Sequence, residues 1–165
     1  MAHVAANTTV PIATGERFCS LFEFENLFER HRIAYARTSL CLCGGITGVR
    51  KIAAMAEAKN IQIVPHNPLS PISLAACLQI DAAIPNFAIQ EYPTSQDNWK
   101  NGWAGSGLRG EGLVDEVPPC TDGYVEIPSR PGIGMNLISN VRKKFPQVKR
   151  PIAMRAHKDG FVVDQ

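Results

Sequence analysis

The sequence predicts an α/β fold in which parallel strands carry helices on their outer side. Two observations predict it. From Pro11 to Tyr92, short apolar segments of strand composition alternate with longer segments of helical periodicity. The alternation also repeats: Glu16, Ser39, His66 and Glu91, spaced about 25 residues apart, each close an apolar stretch with a polar side chain. Strand–helix alternation at that period means βα units, whose right-handed crossovers place neighbouring strands parallel.

Each element has its own signal. Residues 11–14 form a proline-led, β-capable run that ends in Thr14-Gly15 and delivers Glu16. Residues 18–34 follow as a helix, with Leu21, Phe24, Leu27 and Phe28 at helical spacing. The segment 34–43 is apolar and β-tolerant and reads as a strand closed by Gly44-Gly45; on it, Cys41 and Cys43 would share one face. Thr47 is placed to cap a helix over 48–59, with Val49, Ile52, Ala53 and Ala56 on one face and Asn60 at the end. Residues 61–65 form a short strand stopped by Pro65. Ser70-Pro71 is a cap followed by a first-turn proline for a helix over 72–83. Residues 86–90 are the last strand of the series.

Beyond Tyr92 the character changes. Residues 93–112 are rich in Gly, Asn and Ser and read as a loop, with Trp99 and Trp103 available to pack over the mouth. Residues 122–135 suggest a short hairpin and a proline–glycine turn. The basic run Arg142-Lys143-Lys144 reads as a solvated helix face.

Composition narrows the function. A chain of 165 residues is enough for one domain with a core and short for two. A net charge of +2 argues against nucleic acid or an anionic membrane as partner. No apolar run approaches the ~20 residues of a membrane span, and the N-terminus lacks a basic flank and apolar signal core, so a cytoplasmic protein is expected. The five cysteines, odd in number and set in apolar surroundings, fit buried reduced thiols better than a disulfide framework.

Where βα units close into a barrel, the C-terminal strand ends converge on one mouth. That brings Glu16, Ser39, His66 and Glu91 together. His66 is a candidate proton carrier, Glu16 a candidate ligand for a hard cation, and Arg37, two residues before Ser39, a candidate partner for an anionic substrate. Gly44-Gly45 lacks the Lys and Ser/Thr of a phosphate loop and reads as a tight turn.

Four stretches in order, "PIATGER", "CLCGGITGVRKIAAMAEA", "PHNPLSPISLAACLQIDAAIPNFAIQE" and "DGYVEIPSRPGIGM", resemble the C-terminal part of the enolase superfamily. Within it they are similar to the mandelate racemase/muconate lactonizing branch and its acid-sugar dehydratases of the galactonate type. The resemblance implies a Mg²⁺-assisted removal of the proton alpha to a sugar-acid carboxylate, then loss of the β-hydroxyl to give a 2-keto-3-deoxy acid. It implies Glu16 as the third metal-ligand carboxylate, His66 as base or acid, and Glu91 as the group that hydrogen-bonds the substrate carboxylate. Arg37, Ser39 and Asn67 are then expected to bind substrate.

Two departures stand out. Ser39 occupies the place of an aspartate that pairs with the histidine, and a serine supplies no charge to raise imidazole basicity. The other two metal-ligand carboxylates and the capping domain belong, in the family, to segments that precede "PIATGER". A full barrel needs ~250 residues, and only four strands are counted here. The expected organisation is therefore the C-terminal half of a barrel: its last four strand–helix units over 1–92, then an extension over 93–165 that would pack on the capping domain. Activity is expected when this half is joined to, or assembled with, a missing N-terminal half, or through homo-oligomerisation. The alternatives are a non-catalytic truncated or pseudoenzyme half-barrel, and a racemase or epimerase of the same superfamily.

Overall fold

The computed structural model describes residues 1–93, 111–147 and 158–159. In chain order the elements are α1 (Ala2–Ala6), β1 (Ala13–Thr14), α2 (Leu21–Arg30), β2 (Tyr35–Ala36), α3 (Gly45–Glu57), β3 (Gln62–Ile63) and α4 (Pro71–Asp81). A 3-10 turn at Glu111–Leu113 precedes β4 (Cys120–Thr121), β5 (Tyr124–Val125) and α5 (Val141–Lys144).

β1, β2 and β3 pair in parallel in that order. Their register aligns Ala13, Tyr35 and Gln62 in one row and Thr14, Ala36 and Ile63 in the next. The fourth strand expected over 86–90 is reduced to one parallel bridge between Ile63 and Phe87. Two backbone bonds secure it, Ile63 N–H to the Asn86 carbonyl at 2.8 Å and Ala88 N–H to the Ile63 carbonyl at 2.9 Å. Alternation then sorts the strand residues by face. Ala36 and Ile63 enter the core with the helices, whereas Ala13, Tyr35, Gln62 and Val64 line an open-sided cavity of about 510 Å³ on the other face.

α2 is shorter than the predicted 18–34 because a capping box sets its start. The Ser20 hydroxyl accepts from Glu23 N–H, while Glu23 Oε2 accepts from Ser20 N–H at 2.9 Å. Its buried stripe is Phe24, Leu27 and Phe28, on the predicted face. α3 starts three residues before the predicted position, and Thr47 lies exposed inside it without capping it. The reason is the glycine pair: Gly44 and Gly45 take φ of 90° and 67°, a left-handed turn that strand backbone cannot contain. Residues 40–44 are consequently a turn, with Ser39's carbonyl accepting from Leu42 and Cys43 N–H, and this corrects the strand read over 34–43. All five cysteines are free thiols, but only Cys43 and Cys77 are buried; Cys19, Cys41 and Cys120 are exposed, which corrects the expectation of buried thiols, and Cys41 and Cys43 do not share a strand face. The turn folds so closely onto α3 that a Cβ on Gly48 would lie 1.8 Å from the Cys43 carbonyl oxygen.

α4 begins as the Ser70-Pro71 pair predicts, with the Ser70 hydroxyl accepting from Ser73 N–H at 3.3 Å. It is buried along most of its length because it serves two clusters. The larger gathers α2, α3, β2, β3 and one side of α4 around Phe24, Ile52 and Ile63. The smaller packs Leu74 and Leu78 against Tyr92, Val117 and Val125, seating the C-terminal hairpin on α4. That hairpin, β4–β5, turns on Asp122-Gly123, both at positive φ, and begins two residues before the 122–135 span read for it. Arg142, Lys143 and Lys144 form an exposed helical face. Trp99 and Trp103 lie outside the described residues. No helix among the described residues is long and apolar enough to cross a membrane.

Candidate active site

Glu16 follows β1 through Gly15, and Gly15 is there for space. Its φ is +118°, and a Cβ would lie 2.7 Å from the Phe24 ring and 3.3 Å from the Arg37 carbonyl oxygen. The Thr14 carbonyl accepts from Arg37 N–H at 2.9 Å, and the Thr38 carbonyl from His66 N–H at 2.9 Å. These bonds continue the parallel ladder past the formal strand ends, so Glu16, Arg37 and His66 leave the sheet side by side.

Glu91 joins them from the fourth segment. Its Oε2 accepts from Arg37 Nη2 at 2.5 Å and from the backbone N–H of Asn67 at 2.9 Å. The ion pair is about one-third exposed on each side, and two charge-assisted donors on one oxygen hold the carboxylate in place. Gln90 braces the same segment, its amide nitrogen donating to the Glu91 carbonyl at 2.7 Å.

His66 is half-buried, and burial pulls its pKa below the ordinary histidine value. Glu91 opposes that shift, Arg37 reinforces it, and Glu16 opposes it more weakly. That all three act on one imidazole places them within electrostatic reach of it. At neutral pH His66 is therefore an uncharged imidazole, able to take a proton. Its Nδ1 is buried and has no hydrogen-bond partner among the described residues.

The remaining predicted residues sit deeper. Ser39 is 2% exposed, and its carbonyl anchors the turn that leads into α3. Asn67 is fully buried; the contact it makes to the site is its backbone N–H to Glu91, while its side-chain amide has no partner among the described residues. Glu16 is half-exposed and forms no hydrogen bond or ion pair there. Among the described residues, no group of three or more His, Cys, Asp and Glu is arranged to hold a metal ion. Sequence reading singled out Glu91 and Arg37 but not the Asn67 N–H that also holds the carboxylate, because every residue except proline carries a backbone N–H.

The profile of the enolase C-terminal domain-like family matches residues 1–141. The chain belongs to that family. A D-galactonate dehydratase of Variovorax paradoxus is 36% identical over 170 residues, covering 98% of this chain and 42% of the relative. Among solved structures, an enolase from Agrobacterium radiobacter with bound Na and L-malate superposes with a TM-score of 0.77 at 26% identity, over 97% of this chain and 42% of that one. An enolase from Pantoea ananatis with bound D-gluconate and Mg gives 0.71 at 29% identity, over 88% of this chain and 33% of that one. The chain spans about two fifths of the length of the curated relatives it matches. The barrel-type C-terminal domain of the enolase superfamily is thus its fold, and hydro-lyase chemistry is the activity named for its relatives.

Proposed function

We propose that this chain is the C-terminal part of a Mg²⁺-dependent acid-sugar dehydratase. The observation that carries the reading is the meeting of Glu16, Arg37, His66 and Glu91 at adjoining strand ends, in a chain whose relatives are D-galactonate dehydratases. Residues 1–92 supply the half-barrel and its site residues, and residues 93–165 the extension.

In this reading the substrate is a sugar acid, aldonic or aldaric. The uncharged His66 takes the proton alpha to the carboxylate, and the imidazolium so formed delivers it to the departing β-hydroxyl. Breaking the Cα–H and Cβ–O bonds releases water and leaves an enol, which tautomerises to the 2-keto-3-deoxy acid. Glu91, held by Arg37 and the Asn67 N–H, faces the substrate carboxylate, and Arg37 supplies positive charge beside it. The described residues do not by themselves fit a complete Mg²⁺ site, since Glu16 is a single carboxylate. The proposal therefore gives Glu16 one ligand position in a site completed from the rest of the barrel.

A second reading, a non-catalytic half-barrel, has one observation in its favour. With serine at position 39, the buried Nδ1 of His66 lacks the carboxylate that would orient it.

The two readings separate in one experiment. The chain, alone and extended to the length of its relatives, is screened with Mg²⁺ against aldonic and aldaric acids for 2-keto-3-deoxy product. Turnover that disappears in His66→Ala and in Glu16→Gln supports the dehydratase. Silence of the extended protein across the panel supports the non-catalytic reading.

A further inference from the structure

At the far end of α4, about 16 Å from Ser70 along the helix axis, lies a second chemical feature. Asp81 is the last residue of α4 and only 7% exposed. Both of its carboxylate oxygens are buried without a hydrogen-bond partner among the described residues. The last turn of α4 contains no basic residue, so the negative end of the helix also lacks a cation.

Asp81 lines a cavity of about 390 Å³ between the end of α4, the segment 87–90 and the β4–β5 hairpin. Gln90 lines it too, and its Oε1 is a third buried oxygen without a partner. The Gln90 amide nitrogen is already engaged with the carbonyls of Glu91 and Pro65. Phe87 and Tyr124 contribute aromatic wall, and among the described residues no Lys, Arg or His lines the cavity. The titratable neighbours are Cys77 one turn earlier and Tyr92, Cys120 and Tyr124 in the wall.

Two lining residues whose three acceptor oxygens are unpartnered among the described residues, a helix C-terminus and aromatic rings define the chemistry of the cavity's complement: a hydrogen-bonding cation. A planar guanidinium satisfies a carboxylate through two parallel bonds and leaves further donors for an amide carbonyl. We propose that this cavity binds a guanidinium group, with Asp81 as counter-ion and the Gln90 carbonyl oxygen as second acceptor. The group comes either from an arginine of the polypeptide beyond these residues or from a free small molecule. The site is separate from the mouth and does not depend on the dehydratase reading. Burial pushes the Asp81 carboxyl up to about 8, so a proton neutralises it where no cation does.

The test follows the Asp81 carboxyl carbon by NMR in ¹³C-aspartate-labelled protein, titrated with pH at constant ionic strength. Methylguanidinium chloride at low millimolar concentration should lower the Asp81 midpoint by one pH unit or more, a tenfold preference for the ionised form. It should also raise the melting temperature at pH 9 in the wild type and not in Asp81→Asn. A midpoint that stays near 8 and is indifferent to methylguanidinium in this chain overturns the proposal, as does an equal melting response in the variant. The chain extended to the length of its relatives identifies the source. Asp81 ionised at pH 7 without added cation, and then indifferent to it, means that an arginine of the polypeptide fills the cavity; a continued response means a free ligand.

Discussion

Replacing Asp81 with asparagine should remove a pH dependence of stability that the wild-type chain carries. The folded carboxyl titrates at about 8 against 3.8 for the free group. Between those values the folded state holds a proton that the unfolded chain has released. Stability therefore falls as pH rises through that window and levels off above it. Four units at ~1.4 kcal/mol each set an upper bound of about 6 kcal/mol, comparable to the whole stability of many domains. Asparagine keeps the shape of the protonated acid and cannot ionise. Urea unfolding of both proteins at pH 5 and pH 9 isolates the effect, because all other titrations are common to the pair. The stability difference, variant minus wild type, should grow by several kcal/mol between the two pH values. Parallel pH profiles would refute the reasoning and show that Asp81 reaches water or a donor in solution.

The other predictions concern the site and its frame. Removing the Arg37 cation as Arg37→Met should raise the His66 pKa and Glu91→Gln should lower it, both read from imidazole NMR titrations. Gly15→Ala, which puts a Cβ against the Phe24 ring at a left-handed φ, should destabilise by about 1–3 kcal/mol in urea. Ser20→Ala removes the cap of α2 and should cost about 1 kcal/mol by the same measurement. Asp115 accepts from both Arg130 nitrogens and from Asn136 N–H, which holds its carboxyl well below the usual range. Arg130→Ala should therefore speed hydrogen exchange at Asn136, whereas acid should loosen the wild-type contact only well below pH 4.

The residues that announce this fold in the sequence are those whose chemistry is local. Ser70-Pro71 marked the start of α4 and the spacing of Phe24, Leu27 and Phe28 the buried side of α2, whereas the hairpin read within 122–135 begins two residues earlier and turns on Asp122-Gly123. The same logic could have trimmed α2, since Ser20 and Glu23 stand at capping-box spacing. The strand read over 34–43 went astray because Leu40, Cys41, Leu42 and Cys43 suit a strand by composition, while the left-handed turn depends on the glycines that follow. At the site, Glu16, Ser39, His66 and Glu91 were legible as polar ends to apolar strands, with Arg37 two residues before Ser39. The hold of Asn67 N–H on Glu91 was not, and neither was the isolation of Asp81, which depends on a hairpin about 40 residues away in sequence.

The two faces of the sheet have a consequence for how this chain tolerates change. Ala36 and Ile63 belong to the helix-covered core, while their immediate neighbours Tyr35 and Gln62 look onto the open cavity. Adjacent codons along one strand thus answer to different selective pressures. A saturation library scored for abundance should be intolerant at 36 and 63 and permissive at 35 and 62. Scored for ligand preference in a completed barrel, the order should reverse. Variation can accumulate on one row of side chains without eroding the other, which gives a fold with so narrow a sheet room to change what it recognises while keeping its shape.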